Sequence, residues 1–93
     1  MSLETAWRRE LEKVLRLAAC DPKTLGLFLD DLLSSEELTV LPMRWQIIKR
    51  LWQKQPQHAI AKDLGIGVAT VTRGSNMLKN KNGGFWQVLN KLK

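Results

Sequence analysis

Apolar residues recur at steps of three and four along most of the chain, a spacing that predicts amphipathic helices rather than strands. Leu3, Trp7, Leu11, Val14, Leu15 and Ala18 fall on one face of a helix from Leu3 to Ala19. Asp21-Pro22 then supplies a capping carboxylate and a residue whose fixed φ suits a first turn. A second helix is expected to about Leu33, with Leu25, Phe28, Leu29, Leu32 and Leu33 inward and Asp30 and Asp31 nearer solvent. Ser34-Ser35-Glu36-Glu37 matches a capping box, in which the Ser34 hydroxyl takes one orphan backbone N–H and Glu37 reaches back to another. The helix that starts there carries Leu38, Leu41, Trp45, Ile48, Leu51 and Trp52 at helical spacing. Pro42 lies inside it, removes one ladder bond and predicts a kink at Leu41.

Pro56 suits the first turn of a short helix through Asp63, and Leu64-Gly65-Ile66 is a compact turn with Gly65 available for positive φ. Helical spacing resumes from Val68 to about Lys79 through Val71 and Leu78. Asn80-Lys81-Asn82-Gly83-Gly84 breaks it, and Phe85, Val88, Leu89 and Leu92 fit a last amphipathic helix. The expected fold class is all-α, with about six helices and no strand.

Composition narrows the possible roles. At 93 residues the chain has room for one domain, whose core is thin unless a partner chain adds to it. Cys20 is alone, so no intrachain disulfide and no zinc spacing is expected, which fits a reducing compartment. Arg8, Arg9, Glu10 and Glu12 stand where a signal peptide would be apolar, and no apolar run approaches the ~18 residues of a membrane span. A cytoplasmic protein without a membrane partner is expected. With one His, one Cys and no base–nucleophile pair, phosphate loop or metal spacing, an enzyme is the least supported class. The charge is divided: residues 1 to 42 hold five Lys/Arg against eight Asp/Glu, whereas residues 43 to 93 hold ten against Asp63 alone. That division directs the C-terminal half towards a polyanion.

Gln57 to Arg73 has the proportions of a helix-turn-helix. Ala61 lets two helices approach, Gly65 makes the turn, and Ile60, Leu64 and Val71 form the small core that sets their angle. Gly67, Ala69 and Thr70 keep the start of the second helix slim enough for a groove about 12 Å wide.

Ala69-Thr70-Val71-Thr72-Arg73-Gly74-Ser75-Asn76, with Leu78-Lys79, closely resembles the signature of the Trp-repressor family. With one residue fewer near 54–57, the likeness extends back through Arg44 and Leu32 to Leu38, covering roughly residues 25 to 92. The resemblance implies an intertwined homodimer that binds double-stranded DNA at a palindromic operator, as a sequence-specific transcriptional repressor. On this view residues 1–93 are one domain: 1–54 for dimerisation, 56–79 the helix-turn-helix and 83–93 a C-terminal helix. The DNA-facing positions it implies are Gln57, His58, Gly65, Gly67, Val68, Ala69 and Thr72, with Lys62 compensating for His58, which stands where the family has a basic residue. Lys79, Lys81, Lys91 and Lys93 could track phosphates nearby.

No cofactor is implied beyond L-tryptophan, the family's small-molecule corepressor. Its matching pocket positions are Leu33, Ser34, Arg44, Thr70, Arg73, Gly74 and Met77. Two guanidiniums suit a zwitterionic aromatic amino acid, since each can stack on the indole or pair with the carboxylate. Met77 replaces the family's serine and Asp31 a leucine, so the chain departs from the pattern around the ammonium group. Two alternatives stay open: a helix-turn-helix regulator with no effector or a different one, and a protein-interaction module on the same scaffold.

Overall fold

The computed structural model describes residues 2–92; the terminal residues of the expected 1–93 domain, Lys93 of the basic tail among them, lie outside the described residues. Six helices and no strand are found among the described residues: α1 (Leu3–Ala19), α2 (Pro22–Leu32), α3 (Ser35–Trp52), α4 (Gln57–Leu64), α5 (Val68–Met77) and α6 (Gly84–Lys91). They fall into two compact units, Met1–Leu38 and Thr39–Lys93. None of the described helices is long and apolar enough to cross a membrane.

In the first unit α1 and α2 pack on each other and bury Ala18. Val14, Leu15, Leu25, Phe28 and Leu29 are half-buried. Leu32 was expected inward with them but is 45% exposed, because nothing within this two-helix unit covers the last turn of α2. The apolar stripe of α1 is open too: Leu3, Trp7 and Leu11 are all exposed. Asp21 caps α2, accepting from the Lys23 N–H at 3.4 Å and the Thr24 hydroxyl at 2.7 Å. The Thr24 hydroxyl holds its carboxyl below the ordinary value. The capping box forms as the pattern predicts: Ser34 N–H donates to Glu37 Oε1 at 2.9 Å, and Glu37 N–H to Ser34 Oγ at 3.2 Å.

The second unit is built on the C-terminal part of α3. Helix α3 runs unsplit through Pro42, so the lost ladder bond is tolerated. Ile47, Ile60, Ala61 and Val71 form a buried cluster, with Met43, Leu51, Leu64 and Ile66 packed around it. Gly74 lets α5 approach α3: a Cβ there would lie 2.8 Å from the Ile47 Cγ2 methyl. Trp86 donates its indole N–H to the Leu78 carbonyl at 2.8 Å and so ties α6 to the end of α5. Trp45 and Phe85 meet with ring centroids 6.4 Å apart. Pro56 caps α4 instead of opening it, and Lys54, at φ 69°, takes the left-handed conformation that closes α3.

Gly74→Ala should lower stability by about 1–3 kcal/mol, since Ile47 is buried and β-branched and cannot swing away. Thermal unfolding of Gly74→Ala, Ile47→Ala and the double variant checks it, the double costing less than the two singles combined. Acid should open the start of α3. Glu37 is held below its ordinary pKa of 4.5 by the Ser34 backbone N–H, so its contribution is complete above that value and is lost as pH falls through the lower folded-state value. An acid titration of helicity should show this component in the native protein and not in Glu37→Gln.

Candidate nucleic-acid interface

The interface begins with how α4 ends. Gly65 sits at φ 68°, ψ 37°, its N–H donating to the Lys62 carbonyl at 3.3 Å, while Ile66 N–H donates to the Ala61 carbonyl at 3.0 Å. That is a Schellman closure, and its apolar contact is present, because Ile66 packs on the cluster that holds Ile60 and Ala61. The chain therefore reverses within Gly65 to Gly67 and enters α5 with Gly67 at the cap position. No side chain caps α5, so the positive end of its dipole and its first N–H groups face outward.

Ile60 and Val71 have no exposed surface and lock α4 to α5. With Val71 inward, helical spacing brings Val68, Ala69 and Thr72 onto one outer face, and all three are exposed. His58, Lys62, Gly65 and Gly67 are exposed as well, and Gln57 is half-buried. The sequence-derived set thus gathers on the two helices and the turn between them. Thr72 Oγ1 donates to Gln57 Oε1 at 2.7 Å, a tie that sequence alone did not reveal. Asn76, four residues beyond Thr72 and exposed, shares this face; the same helical spacing would have found it.

Charge favours a polyanion here. Asp63, the sole acid of this half, lies 3.6 Å from Arg50, leaving Lys62 without an acidic partner among the described residues. Lys79, Lys81 and Lys91 are also exposed. Among the described residues no cluster of His, Cys, Asp and Glu could hold a metal.

The residues expected at an effector are distributed as follows. Arg44 on α3, and Thr70, Arg73 and Met77 on α5, are exposed; Gly74 is half-buried against Ile47, Ile48 and Leu51, a packing role that needs no ligand. In the first unit Leu33 is half-buried at the end of α2, Ser34 is engaged in the capping box and Asp31 is exposed. Elsewhere in the second unit a groove of about 720 Å³ is lined by Trp45, Met77, Phe85 and Val88 with the amides of Asn76 and Asn80. Neither Arg44 nor Arg73 lines it, so the groove offers no charge to a carboxylate.

Comparison with known proteins agrees with this architecture. The profile of the Trp repressor protein family matches residues 6–93, reaching further towards the N-terminus than the motifs that carry the likeness. A Trp operon repressor homolog of Mannheimia succiniciproducens is 38% identical over 86 residues, 91% of this chain and 83% of that protein. One from Photobacterium profundum is 39% identical over 79 residues, 84% of this chain and 75% of that protein. One from Haemophilus influenzae strain PittEE is 41% identical over 61 residues, covering 64% and 60%. No solved structure gives a significant match.

Lys62→Ala should weaken binding to all duplexes by a similar factor and reduce the slope of log affinity against log salt by about 1, as expected for one lost phosphate contact. Fluorescence anisotropy on two unrelated duplexes across a salt series checks both. A loss confined to one sequence would argue against a phosphate contact.

Proposed function

The chain belongs to the Trp repressor protein family, and on that premise we propose that it acts as a homodimer on a palindromic operator, with L-tryptophan as its corepressor. Membership makes it a DNA-binding transcriptional repressor and not an enzyme, which sets aside the interaction-module alternative. The observation that carries the operator reading is the outer face of α4 and α5: small exposed residues around an uncapped helix start, flanked by lysines. In the cytoplasm, two such faces about one helical turn of DNA apart, roughly 34 Å, would address the two half-sites.

The homodimer is supported by the apolar surface one chain leaves open. Trp7 is 63% exposed, and Leu3, Leu17, Leu27 and Leu32 are exposed with it. A two-helix unit with so little of its own core gains stability by laying that surface on a second copy.

Tryptophan is supported by Arg44 and Arg73, both exposed and without an acidic partner among the described residues, and so available to an aromatic zwitterion. The effector would act by population shift, favouring the conformer whose reading helices match the operator spacing. A second reading, a repressor needing no effector, is favoured by Met77, which places a thioether where the family has a hydroxyl.

Light scattering should return twice the 10.7 kDa chain mass. Calorimetric titration with L-tryptophan should release heat, and the ligand should raise affinity for duplexes selected by the protein. No heat at millimolar ligand with DNA binding unchanged would eliminate tryptophan and leave the effector-free repressor.

A further inference from the structure

The bond between Thr72 and Gln57 joins the exposed face of α5 to the first turn of α4, and both side chains stand at the surface that meets DNA. A threonine hydroxyl has one hydrogen and two lone pairs, and when free it rotates to donate or accept as its partner requires. Here the hydrogen is committed, directed at Gln57 Oε1 at 2.7 Å. We propose that Gln57 and Thr72 form one reading element, in which Gln57 consumes the Thr72 hydrogen and makes Thr72 an acceptor-only contact to the bases.

The consequence for sequence preference follows from the edges of the bases. In the major groove adenine N6 and cytosine N4 present hydrogens, whereas guanine O6 and thymine O4 present lone pairs. An acceptor-only Thr72 fits the amino-bearing bases and sets lone pair against lone pair at the keto-bearing ones. Gln57 keeps a separate task. Its oxygen is occupied by Thr72, and its Nε2 has no partner among the described residues, so the amide hydrogens are left to donate. The first helix of this motif crosses the DNA backbone, which makes a phosphate oxygen the acceptor within reach of that group. Gln57 is therefore a positioning residue for Thr72, and the selectivity lies in the pair. The proposal rests on α4 and α5 reading DNA.

The test is selection of bound duplexes from a randomised double-stranded library, with and without L-tryptophan, by the native protein, Gln57→Leu, Thr72→Val, their double variant and Gln57→Glu. The native protein should show one position per half-site where adenine or cytosine is enriched about 3–10-fold over guanine and thymine, the value of one hydrogen bond. Gln57→Leu and Thr72→Val should each level that position, and the double variant should do no more. Gln57→Glu, whose carboxylate still accepts from Thr72, should keep the preference while weakening every duplex about tenfold through repulsion from phosphate. That contrast separates the pair from a general structural role, which would move affinity and not the identity of the preferred base. Retention of the amino-base preference in Gln57→Leu, or additive losses in the double variant, would overturn the pairing. Absence of any enriched sequence or salt-sensitive binding in the native protein would overturn the DNA reading beneath it.

Discussion

Ile60 on α4 and Val71 on α5 are both fully withdrawn from water, in one cluster with Ile47 of α3, and the use of the outer surface depends on that burial. Two short helices of eight and ten residues would be marginal alone, so their mutual angle comes from packing rather than from propensity. Gly65 permits the reversal between them, and Gly74 permits the close approach to α3. With Val71 committed inward, the helical period leaves Val68, Ala69 and Thr72 no orientation but outward.

The outer face is modest in chemistry: small side chains, a helix start with unclaimed N–H groups, and lysines around it. Such a surface obtains most of its affinity from phosphates and must obtain discrimination from few base contacts. Under those conditions the state of one hydroxyl matters. The tie to Gln57 shows that contacts from the two helices need not act independently, since one helix can set the hydrogen-bonding character of a residue on the other.

The two units meet the hydrophobic requirement differently. Thr39–Lys93 encloses a buried cluster of its own, whereas among the described residues of Met1–Leu38 Ala18 alone is buried. The acidic excess lies in residues 1–42 and the basic excess in residues 43–93, so the charge that attracts a polyanion belongs to the unit that carries α4 and α5. Arg44 and Arg73 are exposed as well, and the proposed response to L-tryptophan would turn on them together with Met77, which stands where the resemblance implies a serine.

Local features were legible in the chain itself. The limits of α1, the capping box of Ser34 and Glu37, the left-handed Gly65 and the inward Ile60 and Val71 each follow from a few neighbouring residues, because capping, turn geometry and helical period act over one or two turns. The candidate DNA-facing set, by contrast, was carried over from the resemblance to the Trp-repressor family. Lys54 in a left-handed conformation, Leu32 left exposed on an otherwise apolar face, and the hydrogen bond from Thr72 to Gln57 were not legible. Each depends on what lies across a gap between helices or on how a chain end is tethered, and no periodicity records that. The sequence alone therefore determined which residues form helices and which faces of α4 and α5 stay outward; only the tertiary structure decided which outward residues touch one another, because side-chain contacts across helices are set by packing distance.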